Sequence, residues 1–327
     1  MHIPMPLRLA AASACLIAIV LPNAYAQAYP NRPIRIVEPF PAGGGGDFLL
    51  RVLATKLTAV FGQPIVIDNR PGSGGNIGAE LAAKAPPDGY TLFNGTTVVL
   101  APSRSMYSKL PYDVLRDFTP ITRVGAGAYV LVVHPSLPVR AVKDLVALAK
   151  ARPGQINYAS AGGVGSGSHL CAELFKHRAA INLVHVAYKG GPPAVTAVVA
   201  GETETNFATV TSVLAQVKAG RLRALGVTSP NRSALFPDVP TIAESGYAGF
   251  EVTPVYGLYV PTGTPKEIIA QLNTELRKIL AMDDVRDRFA TQGVVASSST
   301  PEELGALLAA EVARWATVIK AANIRLD

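Results

Sequence analysis

Short β-rich runs alternate with longer helical runs along most of this 327-residue chain, and that alternation confines it to the α/β class. Residues 34–37 read as a strand, and 47–60 as a helix with apolar side chains at 49, 50, 53, 57 and 60. Residues 64–68 and 91–93 are strand-like, with 77–85 helical between them. A buried strand over 129–133 precedes a helix over 143–150. Strands over 156–160 and 183–186 flank a helix over 168–176, and another strand follows at 222–228. The 29 glycines and 26 prolines would break any long coiled coil. With 49% hydrophobic and only 16% charged residues, the chain is also too apolar to stay disordered.

The N-terminus is a separate matter. Arg8 precedes an apolar run of thirteen residues, 9–21, and Ala24-Tyr25-Ala26 supplies a small-x-small pattern. Residues 1–26 therefore read as a secretory signal peptide cleaved after Ala26, which predicts an exported protein. Thirteen residues are too few for a membrane span, which needs about 20. Cleavage removes Cys15 and leaves Cys171 as the single cysteine, so stability must come from a large core and not from disulfides.

Formal net charge is +7, but the 30 basic residues are scattered singly without interleaved aromatics, which argues against nucleic acid as a partner. The last third carries helix-start signals. Thr264-Pro265-Lys266-Glu267 and Thr300-Pro301-Glu302-Glu303 both read as capping boxes, and Thr241 with Glu244 repeats the device. The second box opens a helix whose stripe of Leu304, Leu308, Val312, Trp315 and Ile319 predicts core packing.

Two glycine-rich segments, about 120 residues apart, each join a strand to a helix. The first is Phe40-Pro41-Ala42-Gly43-Gly44-Gly45-Gly46-Asp47. The second is Ser160-Ala161-Gly162-Gly163-Val164-Gly165-Ser166-Gly167-Ser168-His169. Glycine lets backbone approach a ligand closely, and a helix start offers unpaired N–H groups at a positive dipole end. Such loops hold a carboxylate or phosphate without a charged side chain. Neither fits a Walker A or G-x-G-x-x-G pattern, and no G-x-S-x-G elbow surrounds Ser166 or Ser168. An exported serine hydrolase would need a base and an orienting acid that the sequence does not place. Asp47 reads as a helix N-cap. His169 and Glu173 share a helical face, but two ligands do not make a metal site, and no cofactor is indicated. Gly72-Ser73-Gly74-Gly75-Asn76 reads as a structural turn, and Tyr188-Lys189-Gly190 follows a strand close to the second loop.

These segments, together with Asp68-Asn69-Arg70-Pro71-Gly72, Pro87-Asp88-Gly89-Tyr90-Thr91-Leu92, Leu110-Pro111-Tyr112-Asp113 and Pro237-Asp238-Val239-Pro240-Thr241, give a chain that resembles the Bug proteins. Those are periplasmic solute receptors of tripartite tricarboxylate transporters. The resemblance runs over the whole mature chain. It implies a two-domain α/β flytrap of the periplasmic-binding type, with a sheet flanked by helices in each domain. The expected division is 27–124 plus 235–327 for domain 1 and 125–234 for domain 2. It further implies a monomer that grips a small carboxylate between both glycine loops and feeds membrane transporter subunits. Presentation of the ligand to a sensor kinase is the alternative within the same fold.

The ligand-binding residues expected on this basis come from three stretches. The first contributes Phe40, Pro41, Ala42, Gly43, Gly44, Gly45 and Asp47, with Thr96 and Thr97 beside it. The second contributes Ser160, Ala161, Gly162, Val164, Gly165, Ser166 and His169. Tyr188, Lys189, Gly190, Ala208 and Thr209 complete the set. Three departures from the family pattern stand out. The second loop is one residue longer, Ala42 stands where proline is common, and Ala208 stands where Asp usually follows Phe. The last predicts a ligand without an amino group.

Overall fold

The computed structural model describes residues 1–2 and 29–322, so the signal-peptide reading and its cleavage site at Ala26 lie outside the described residues. The chain runs through β1 (Ile34–Glu38), α1 (Gly45–Phe61), β2 (Ile65–Asn69), α2 (Asn76–Ala83), β3 (Thr91–Thr96), α3 (Thr97–Met106) and β4 (Phe118–Ala126). It continues with β5 (Tyr129–Val133), α4 (Val142–Ala151), β6 (Asn157–Ala161), α5 (Gly167–Ala179), β7 (Val184–Tyr188), α6 (Gly191–Ala200), β8 (Thr205–Thr209), α7 (Val210–Lys218) and β9 (Arg223–Val227). The last stretch is β10 (Val255–Pro261), α8 (Lys266–Leu280), α9 (Asp283–Ala290), β11 (Val295–Ala296) and α10 (Pro301–Ala322). The predicted α/β alternation holds, with two sheets flanked by helices.

One sheet has the order β11-β4-β10-β3-β1-β2 and the other β7-β6-β8-β5-β9. In the first, β1 pairs in parallel with β2 and β3, while β10 runs antiparallel to β3 and β4. In the second, β6 is parallel to β7 and β8, and β5 is antiparallel to β8 and β9. Strand β5, with sequence YVLVV, is buried at every position, as expected of a β-branched run covered on both faces. Strands β4, β8 and β10 were not legible as separate runs. Their interrupting Thr, Asn, Pro and Gly residues blunt the apolar signal that tertiary pairing overrides.

Helix α1 buries Leu49, Leu50, Leu53 and Leu57 against the first sheet and stops at Gly62, whose left-handed φ of 65° suits glycine. The α10 stripe packs as predicted, with Trp315 fully buried and Val312 partly so. The two late capping boxes differ. Thr300 and Glu303 exchange reciprocal backbone–side-chain bonds of 2.9 and 3.2 Å. Thr264 instead donates its hydroxyl to Pro261 O at 2.7 Å, so the box expected there is absent and α8 starts at Lys266. Thr241 and Glu244 also form a reciprocal box, but it opens only a short turn. Thr300→Ala should therefore cost about 1 kcal/mol, read as a lower urea midpoint. An unchanged midpoint would show that this box adds nothing.

Candidate functional site

Both glycine loops end at helix starts that face one cavity of about 70 Å³ between the two sheets. Phe40, Pro41, Gly44 and Gly45 line it from the first loop, with Thr96 at the end of β3. Ala161, Gly167 and Ser168 line it from the second, and Thr209 from the end of β8. The sheets thus meet where their strands lead into helices, the usual place for a ligand in open α/β folds.

At α1 the N-cap is Gly44, so the first N–H groups of the helix open toward the cavity. Asp47 is neither the N-cap nor a lining residue. It sits in the first turn, buried, and accepts hydrogen bonds from Gly43 N at 3.0 Å, from Arg51, and from Asn69 at 3.2 Å. Burial would raise its pKa, but these bonds outweigh burial and hold the carboxyl below the ordinary aspartate value. Its role is to brace the loop. Ala42 and Gly43 are exposed on the outer side of that loop.

At α5 the N-cap is Ser166, whose hydroxyl accepts from His169 N and donates to Gly163 O at 2.7 Å. Ser168 Oγ accepts from Ala161 N at 2.7 Å. Gly165 N donates to the His169 ring, and burial with neighbouring His185 pushes His169 down to about 4, so it stays neutral. Ser160 is fully buried, with its Oγ 2.6 Å from His185 Nε2. Tyr158 stacks on His185 and donates to Glu173 at 2.6 Å. This polar group supports the loop from behind and does not reach the cavity. Neither Ser166 nor Ser168 is hydrogen-bonded to a histidine side chain among the described residues, which leaves the hydrolase reading without its base.

The remaining expected residues scatter. Thr97 is buried and accepts from Val255 N. Val164 is 43% exposed. Gly162, Tyr188 and Lys189 line a neighbouring cleft with Pro71, Gly72 and Ser73. Gly190 caps α6, where a Cβ would lie 2.7 Å from Pro41. The third glycine turn reaches this region too, because Gly74 N donates to Gly162 O at 3.2 Å across the sheets.

Ala208 corrects an expectation. It is 2% exposed and packs among Val130, Val132, Ala159 and Val198 on the face away from the cavity, while Phe207 and Thr209 face it. Side chains alternate across a strand, so position 208 cannot read the ligand here, and the prediction built on it loses its basis.

Glu38 was missed. It closes β1, is 1% exposed, and lines the cavity beside Tyr129, Phe207, Tyr256 and Pro254. Asn94 Nδ2 donates to its carboxyl at 2.5 Å. Burial pushes Glu38 up to about 8, opposed by the Asn94 bond, assisted by the charge of Asp47, and opposed again by Phe40 N–H. The available signal is alternation, which puts Glu38 on the buried face that Ile34 and Ile36 share.

The family model described as tripartite tricarboxylate transporter family receptor, TctC, matches residues 49–324. Protein BugT of Bordetella pertussis is 40% identical over 304 residues, covering 92% of this chain and 92% of BugT. The solved structure of R. palustris Rpa4515 with adipate aligns at a TM-score of 0.87 and 36% identity, over 91% of this chain and all of that one. MatC from Rhodopseudomonas palustris with bound malate aligns at 0.85 and 30%, over 89% of this chain and all of that one.

Proposed function

This chain belongs to the tripartite tricarboxylate transporter receptor family, and from that premise we propose that it captures a small carboxylate between the starts of α1 and α5 for a membrane transporter. It is a receptor of the periplasmic binding type and not an enzyme. The observation that carries the carboxylate reading is the convergence of two helix N-termini, both opened by glycine, on one cavity that holds hydroxyls of Thr96, Ser168 and Thr209. The adipate and malate bound by two similar structures support the same class.

Four charge-assisted hydrogen bonds at about 1.5 kcal/mol each supply roughly 6 kcal/mol. Micromolar affinity needs about 8.2 kcal/mol. Apolar burial against Phe40, Phe207 and Pro254 adds the remainder, less the cost of ordering the ligand. Release requires the sheets to part where the chain crosses between them, near 127 and near 253, which breaks the Gly74–Gly162 contact. The second crossing is not at the expected 235, since Phe236, Thr241 and Phe250 still pack with the second sheet.

A thermal-shift series with malate, succinate, adipate, caproate, benzoate, γ-aminobutyrate and ε-aminocaproate tests this reading. A binder at ten times its Kd should stabilise the protein by about 1.4 kcal/mol. Small-angle scattering of the same samples should show compaction. No stabilisation by any carboxylate would remove the proposed function, and stabilisation without compaction would remove the closure.

A further inference from the structure

The cavity is electrically lopsided. Both ends begin with a helix N-terminus, yet only one has a carboxyl built beside it. A Cβ on Gly46, in the first turn of α1, would lie 2.8 and 2.9 Å from the two Glu38 carboxyl oxygens. Glu38 thus occupies the side of the cavity under α1. Tyr256 reaches the same end, its hydroxyl 3.3 Å from a Cβ built on Gly45. The α5 end holds Ser168, the first-turn N–H groups and the Tyr129 hydroxyl, with no acidic residue lining the cavity there. Among the described residues that line the cavity there is no Lys, Arg or His, so the protein supplies Glu38 with no cation.

We infer that Glu38 is a specificity-determining residue that makes this receptor select a carboxylate carrying a cationic amino group, with the carboxylate at the α5 start and the ammonium at Glu38. This rests on the carboxylate-receptor reading and sharpens it. The acidic group that faces the cavity comes from β1, because position 208 points to the other side of its strand.

Three features support the assignment. An ionised carboxyl buried without a cation is costly, and an ammonium from the ligand is the missing partner. Phe40, Tyr129, Phe207 and Tyr256 give the cavity aromatic walls, whose ring faces attract a cation and not a second carboxylate. The anion-attracting end of α1 already has a carboxyl beside it, so a ligand carboxylate placed there meets repulsion whenever Glu38 is ionised. The α5 end carries no such penalty. Asn94 keeps Glu38 oriented through its 2.5 Å bond, and the Phe40 N–H assists.

Calorimetry on matched pairs tests this, because each pair differs only at the far end. Succinate is compared with γ-aminobutyrate and adipate with ε-aminocaproate, at neutral pH, on wild type and Glu38→Gln. In at least one pair the amino carboxylate should bind wild type about tenfold or more tighter than the diacid, and Glu38→Gln should erase that preference. Diacids binding wild type as well as the amino carboxylates would overturn the inference and leave the carboxylate receptor standing. So would an amino preference that survives Glu38→Gln. Failure of every compound, caproate included, would overturn both readings. The wild-type comparison holds even if the variant does not fold.

Discussion

Gly167→Ala should weaken carboxylate binding by about a hundredfold or more while the protein still folds. Gly167 is the first residue of α5, directly after its N-cap Ser166. Its φ is not among the left-handed glycine values, so the backbone itself would accept alanine. Space would not. A Cβ there would lie 2.0 Å from Tyr129 Oη, with Tyr129 Cζ and Val98 Cγ2 both at 2.9 Å. The neighbours are buried ring and backbone-anchored aliphatic atoms, so either Tyr129 leaves the cavity wall or the start of α5 shifts. Each outcome moves N–H groups away from the ligand carboxylate. Overpacking costs about 1–3 kcal/mol of stability, partly offset by the better helix propensity of alanine. Calorimetry with whichever carboxylate stabilises wild type most is the direct check. Val164→Ala, on the exposed tip of the same loop, should leave the affinity within about twofold and serves as the control. A folded Gly167→Ala protein that binds within tenfold of wild type would show that α5 does not hold the ligand.

The loops were legible because glycine in a strand-to-helix junction has a physical meaning that survives without a structure. The same reading could not sort the residues around them. Ser160, Thr97 and His169 share the polar character of a binding residue, yet their groups are consumed by His185, Val255 N and Gly165 N. Tyr129 reads as core because a strand buried on both faces looks uniformly apolar, whether a face meets another element or a cavity. Position 208 was misplaced for a related reason. Strand β8 had not been recognised, so its alternation could not put 207 and 209 on one face and 208 on the other. Asp47 looked like an N-cap from its place after four glycines, but the helix starts two residues earlier and turns it into a loop brace.

Glu38 leaves a second signature, in the pH dependence of stability. Unfolded, its carboxyl has the ordinary value of 4.5; folded with the cavity empty, it holds its proton up to about 8. Between those values the folded state binds more protons than the unfolded one, so stability falls as pH rises and the loss is complete above about 8. Below 4.5 both states are protonated and the residue contributes nothing. The groups around it do not rescue the charge. Asn94 on β3 and Phe40 N–H donate to it, Asp47 on α1 repels it, and Tyr256 on β10 is itself pushed up by burial and by Glu38. The full cost above pH 8 is about 5 kcal/mol. Glu38→Gln keeps an acceptor for Asn94 and removes the ionisation. It should therefore leave stability nearly unchanged at pH 4 and raise it by several kcal/mol at pH 9, which for a chain of this size is a gain on the order of 10 °C in Tm. Thermal unfolding of both proteins across that range is the measurement. A Tm difference that does not vary with pH would mean that the Glu38 carboxyl titrates alike in the folded and unfolded protein, its charge met by water or a cation. An amino carboxylate bound to wild type should shrink the same difference, since its ammonium stabilises the ionised carboxyl. The pH profile and the ligand preference therefore test one property, the lack of a protein cation beside a carboxyl that lines the binding cavity.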